Sequence, residues 1–178
     1  MAMKKLFTIA LALVLIGLAT LASASGGVKT IGVIQYVQHV ALDSAREGFV
    51  KALSDNGFVD GENISLDIQN AQADASNLAT ISDRFVANNV DLVLAIATPA
   101  AQSIAGKTTE IPILGTAITD YVVARLVDSN EAPGGNVSGT TDMNPVAEQI
   151  MLIRELFPET KTIGVLYTSS EDNSVLQA

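Results

Sequence analysis

Asp91-Leu92-Val93-Leu94-Ala95-Ile96-Ala97-Thr98-Pro99-Ala100-Ala101-Gln102 is the stretch from which the rest of the chain is read. Residues 91 to 97 are almost wholly apolar, which suits a strand buried on both faces at the centre of a sheet. Thr98 then stands where a helix cap belongs and Pro99 where a first helical residue belongs, so a short helix is expected from Pro99 to about Lys107. A buried strand running straight into a helix is the repeating unit of a parallel sheet.

Upstream, the β-branched run Thr30 to Tyr36 reads as a first strand. From Ala41 to Asn56, Leu42, Ala45, Phe49 and Leu53 recur at spacings of three and four, the period of an amphipathic helix, and Gly57 sits at its expected left-handed end. Asn63 to Gln69 alternates Ile64, Leu66 and Ile68 with polar neighbours, as an outer strand does. Asp74 or Ser76 then caps a helix whose Leu78, Ile81 and Phe85 share a face, ending near Asn88-Asn89. Downstream come a strand at Ile111 to Gly115, the turn Pro133-Gly134-Gly135-Asn136, and a brief strand at Val137 to Gly139. The alternation predicts an α/β class, a Rossmann-type parallel sheet with helices on both faces.

Asn144 and Pro145 make a cap and first-turn pair, Val146, Ile150, Ile153 and Phe157 an apolar stripe, and Pro158 a stop. A strand is expected at Lys161 to Tyr167, whose Ile163-Gly164-Val165-Leu166-Tyr167 echoes Ile31-Gly32-Val33-Ile34-Gln35. Unless it is chance, the echo is what a duplicated two-lobe protein shows. A lobe like the first would need on the order of 100 residues beyond Ala178. The expected organisation is therefore a signal peptide at 1–24, an N-terminal α/β lobe at 28–141, and a crossover helix with the truncated start of a second, similar lobe at 142–178.

The leader reading rests on Lys4-Lys5, the apolar run Leu6 to Leu21, and the small residues Ala22-Ser23-Ala24. That run is short for a membrane span and has a cleavable end, which favours export over anchoring. Cysteine is absent, so there is no lipid-accepting cysteine, no disulfide and no thiolate metal site. A soluble periplasmic protein is expected. The formal charge is -9, and nowhere past the leader do basic residues cluster, which argues against nucleic acid or anionic lipid as partner.

In an open parallel sheet, ligands bind where the loops at the carboxyl ends of the strands face a common crevice. Five segments hold that position: Gln35 to Val40, Ala97 to Gln102, Thr116 to Tyr121, Thr140 to Asn144, and Thr168 to Ser174. Thr98 as cap and Pro99 as first residue would leave the amides of Ala100, Ala101 and Gln102 free for a carboxylate; an ordinary capped helix reads the same way. Thr168-Ser169-Ser170-Glu171-Asp172-Asn173-Ser174 is the matching loop of the second lobe, or simply a polar loop. Asp120 and Asp142 each follow a threonine at a strand end and suit either a ligand ammonium group or a turn. His39, the one histidine, lacks partners for a metal site or a triad and is a crevice-mouth group or a solvated loop residue.

With those segments placed, the chain resembles a known family. Ile31 to Tyr36 with His39, Leu42-Asp43 and Arg46-Glu47-Gly48-Phe49, then Asp91 to Gln102, Pro133 to Gly139, and Lys161 to Tyr167 with Ser169-Ser170-Glu171 and Asn173-Ser174 look like the ABC-transporter substrate-binding family that takes tryptophan, tyrosine or related amino acids. The resemblance implies a type I periplasmic-binding fold, two Rossmann-like lobes clamping an amino acid, with an inner-membrane ABC permease as partner and no cofactor. The family's ligand-facing loops map onto Gln35, Tyr36 and His39; Thr98, Pro99, Ala100, Ala101 and Gln102; Thr119 and Asp120; Asp142; and Ser169, Ser170, Glu171 and Ser174. Where family members continue the Thr-Asp pair with proline and small residues, this chain has Tyr121-Val122-Val123-Ala124-Arg125, so the shape of that loop is this chain's own.

Two rivals remain at the level of sequence. An enzyme on a dinucleotide-type fold lacks its fingerprint here, since Gln35-Tyr36-Val37-Gln38-His39-Val40 is not G-x-G-x-x-G and no Walker motif, metal spacing or nucleophile with its base occurs. A periplasmic sensor module of the same fold, or a binder of sugar or purine, would read identically over these residues.

Overall fold

The computed structural model describes residues 27–178, so the leader expected at 1–24 lies outside the described residues. Five strands form one sheet: β1 (Lys29–Gln35), β2 (Ile64–Asn70), β3 (Leu92–Ile96), β4 (Ile113–Ile118) and β5 (Val137–Thr141). Their order is β2-β1-β3-β4-β5 and every neighbouring pair is parallel. The apolar stretch that opened the reading is β3, in the middle, and the alternating one is β2, at an edge. Central position demands apolar side chains on both faces, whereas an edge strand needs only one.

The helices α1 (Val40–Asp55), α2 (Ala75–Ala87) and α3 (Thr98–Ala105) connect the strands. On one face Leu78, Ile81 and Phe85 of α2 and Ala100, Ala101 and Ile104 of α3 pack with Ile34, Val93 and Ala95. Gly32 permits this approach: a β-carbon there would meet the Phe85 ring at 2.7 Å. On the other face Leu42, Phe49 and Leu53 of α1 cover Ile31, Val33, Leu94 and Ile96. The expected caps hold for α1 and α2. Gly57 lies at φ 84 just past α1, and the Asp74 carboxylate accepts from the amides of Ser76 and Asn77.

β4 runs three residues past the expected Gly115. An irregularity between Gly115 and Ile118, with Ala117 at φ 54, keeps it paired to β5, as a bulge does when a strand must bend without leaving its partner. α4 (Val146–Leu156) begins one residue later than expected, with Pro145 at the cap position. The Asn144 side chain, expected to cap it, donates instead to Gln177 Oε1 at 2.9 Å.

The strand expected at Lys161 to Tyr167 is not formed. These residues lie outside any helix or strand, and Leu166 is fully exposed. A strand is stabilised by a neighbour's ladder, and an apolar pattern cannot report whether a free edge is in reach. α4 likewise buries no residue. Ile150, Met151, Leu152 and Leu156 are exposed, and so is Phe157 just after it. The chain closes with the short helix α5 (Asp172–Gln177), which returns to the carboxyl end of the sheet.

Candidate functional site

β1 lies between β2 and β3, so the chain leaves β1 toward one side and later crosses back to build β3 on the other. The carboxyl ends of β1 and β3 therefore diverge and open a crevice. After β1, Gln35 is wholly buried. Its carboxamide nitrogen donates to Val37 O and Asp43 Oδ1, both at 2.8 Å, and its oxygen accepts from Arg46 Nη1 at 2.9 Å. Tyr36 is half-buried, with its amide on Ile96 O and its carbonyl accepting from Ala73 N. Exposed His39 is the cap of α1, its Nδ1 accepting from the Ala41 amide at 3.2 Å. Sequence reasoning placed it in the loop without seeing that role.

The helix start after β3 differs from the expectation. Ala97, at φ 83 and ψ 153, holds the cap position, Thr98 is already helical, and there is no side-chain cap bond. The amides of Ala100 and Ala101 both donate to Ala97 O, at 3.1 and 3.2 Å. They are not free for an anion, and both alanines are wholly buried in the core. The reason is the tightness of the turn. Ala97 still donates to Thr116 O as part of the sheet, so the reversal falls on this one residue and the helix begins immediately after it. Thr98 is buried, and its hydroxyl has no partner among the described residues. Pro99 and Gln102 stay partly exposed at the rim.

After β4, Thr119 is buried and Asp120 accepts from the amides of Val122 and Val123, both at 2.8 Å. One oxygen of Asp120 thus holds the turn, the plainer of its two expected roles. Tyr121, part of the departure from the resembled pattern, is buried and donates to Thr140 O at 3.1 Å. A β-carbon at Gly115 would meet its hydroxyl at 2.6 Å, and one at Gly139 would also collide with it. The two glycines, paired across β4 and β5, make the space that Tyr121 fills. Burial first, offset in part by the Thr140 bond and reinforced by the Asp142 charge, pushes its hydroxyl up to about 12. An open cleft of about 350 Å³ beside β5 is lined by Thr119, Asp120, Tyr121, Asn130, Ser138 and Met143, among others. No residue of the loops after β1 and β3 lines it, so it flanks the crevice.

The segment after Tyr167 closes over the crevice. Gln102 Nε2 donates to Asp172 Oδ2 at 3.1 Å, and Gln177 Nε2 donates to Thr119 Oγ1 at 3.1 Å. Partial burial first, then the nearby Glu171 carboxylate, raises the Tyr36 phenol above its ordinary value. Ser169 and Ser170 are exposed, while the Ser174 hydroxyl accepts from the Thr168 amide and keeps its own proton to donate. The structure thus brings Tyr36, Gln102 and Thr119 to Glu171 and its neighbours. Asp142 is exposed on the β5 side. Asp172 and Gln177 were not singled out by sequence. Asp172 stood within the polar run and Asn144 was read as a helix cap, whereas Gln177 carried no signal beyond being polar.

Residues 30–178 match the family model described as ABC transporter substrate binding protein. A tyrosine-binding protein of Clostridioides difficile (strain R20291) is 49% identical over 149 residues, which are 84% of this chain and 43% of that protein. Among solved structures, an ABC domain from Streptococcus pneumonia in complex with L-Trp superposes with a TM-score of 0.82 at 46% identity, covering 85% of this chain and 51% of that one. A ligand-free, open substrate-binding protein with adhesive properties from Clostridium difficile gives 0.71 at 51% identity, covering 84% and 51%. The chain spans about half the length of these relatives.

Proposed function

The chain belongs to the ABC transporter substrate-binding protein family, and we propose that it serves as the periplasmic solute-binding component of an ABC importer, taking an amino acid with an aromatic side chain. The observation that carries this reading is the bridged crevice: Gln102 reaches Asp172 and Gln177 reaches Thr119 across it. The parallel sheet with its switch-point crevice is the lobe of a type I periplasmic-binding fold. The chain fits the L-Trp complex better than the open, ligand-free relative, although the latter is nearer in sequence.

Nothing need react. A ligand held by both sides stabilises the closed arrangement in proportion to its preference for it, and a permease in the inner membrane distinguishes that arrangement from the open one. The ammonium group is assigned to Asp120, Asp142 and Glu171, and the carboxylate to the hydroxyls of Thr98, Ser169, Ser170 and Ser174. Pro99 and Gln102 line the rim, with Tyr36 and His39 beside the side chain. Gln35, Ala100 and Ala101 shape the site from within the core. The amide site first expected at Ala100 and Ala101 plays no part.

Calorimetric titration tests the reading. L-Trp, L-Tyr and L-Phe are added to the chain, and to a chimera in which the C-terminal half of the Clostridioides relative continues it. Saturable binding by the chimera, weak or absent in the chain alone, is expected. A folded chimera that gives no heat with any of the three defeats the amino-acid assignment.

A further inference from the structure

Gln35 ends β1 at the mouth of the crevice, yet its side chain faces inward and is wholly buried. A carboxamide has two N–H donors, and both are used, on Val37 O and Asp43 Oδ1, while its oxygen accepts from Arg46. Arg46 Nη1 also lies 3.3 Å from Asp43 Oδ1. Asp43 and Arg46 belong to the first two turns of α1, whose cap is His39. The loop from Tyr36 to His39 is thus tied at both ends to one helix. We propose that Gln35, Asp43 and Arg46 form a positioning device for Tyr36, holding the loop at the crevice without touching the ligand. The proposal rests on the crevice being the binding site.

Satisfaction of the buried amide selects the loop conformation. A buried carboxamide left with unpaired groups is costly, and the conformation that places Val37 O within reach of Nε2 is the one that avoids this cost. Arg46 is the member best suited to test the device. Its Nη1 alone meets both the carboxamide oxygen and Asp43, so a lysine ammonium can supply part of that contact without the guanidinium's fixed plane. Its side chain is partly exposed, and its apolar stem can be retained by methionine. Tyr36 makes backbone bonds to Ile96 and Ala73, its side chain packs at the margin of the core, and the acidic group facing it is Glu171.

The test is a spectrophotometric titration of the tyrosines in the chain and its Arg46→Met and Arg46→Lys variants, each with Tyr36→Phe as the subtracted background, alongside thermal unfolding. Arg46→Met is expected to keep a cooperative unfolding transition while the Tyr36 titration falls toward about 10, the free-phenol value; Arg46→Lys should restore part of the elevation. An unchanged Tyr36 titration in folded Arg46→Met overturns the proposal. Loss of the folded state in both variants also overturns it, because the network would then hold the fold rather than the loop. In the chimera, a loop held in place only about a tenth of the time weakens apparent affinity for L-Trp about tenfold. If the unsubstituted chimera binds no amino acid, the binding reading falls, and the ligand-free titration still decides whether Arg46 positions Tyr36.

Discussion

At the scale of single residues, this chain's individuality lies in Tyr121 and the glycines beneath it. Tyr121→Phe removes the bond to Thr140 O and is expected to cost about 1 kcal/mol, measured by urea unfolding. The same tyrosine sets an alkaline limit. Its folded value is pushed up to about 12, against about 10 in an unfolded chain, so the unfolded state releases its proton first. The stabilisation is complete below about pH 10 and is lost as the pH rises toward about 12. Comparing urea midpoints at about pH 9 and about pH 11 should show a fall in the native chain that is smaller in Tyr121→Phe; equal falls would discount the burial of this hydroxyl. Gly139→Ala should be worse than Tyr121→Phe, because the added carbon collides with both Gly115 O and the Tyr121 hydroxyl. None of this was legible beforehand. The sequence showed that Tyr121 broke a pattern, but the space that accepts it is made by two glycines on different strands.

The elements show what periodicity can and cannot deliver. The stripe and the end of α2 were legible because both are local, and the structure chose Asp74 over Ser76 as its cap. Phe85 sits at its centre, wholly buried against Gly32. Phe85→Ala should cost about 3–5 kcal/mol, seen as a large loss of urea midpoint; a small loss would mean that α2 is not docked on the sheet. The Asp74 cap adds an acid limb. Bonds from Ser76 and Asn77 lower its carboxyl below the ordinary value, so its contribution is present above the unfolded value of about 3.9 and lost as pH falls through the lowered one. Asp74→Ala should flatten that limb in an acid unfolding curve. The start of α3 was misread by one residue, and with it the free amides of Ala100 and Ala101. Thr98-Pro99 satisfies the local rule for a cap, yet Ala97 takes the position because the sheet holds it until the helix begins.

At the scale of the whole molecule, residues 142–178 reach the first part of the chain through a backbone bond from Asp142 to Ile118 and through polar side chains on Gln102 and Thr119. Hydrogen exchange on Asp172→Ala combined with Gln177→Ala is expected to accelerate the amides of α5 and leave those of β1 to β5 unchanged; equal protection in both would mean that the bridges to Gln102 and Thr119 contribute nothing. Ile150, Met151, Leu152 and Leu156 of α4 and the apolar residues of 163–167 face solvent, Leu156 at 62% and Leu166 at 101% exposure, and such a surface promotes self-association. Light scattering of the chain should rise with concentration, and less so in Leu156→Gln with Leu166→Gln. By itself the sequence determined the α/β class, the central place of β3, the edge place of β2, the faces of α1 and α2, and the family, because those follow from local periodicity and contiguous motifs. Only the tertiary structure decided that Gln35 turns inward, that Ala97 displaces Thr98 as the cap, that Lys161 to Tyr167 stays unpaired, and that Gln177 reaches Thr119. Each of these depends on which distant group is within about 3 Å, a distance set by packing across the chain rather than by the order of residues along it.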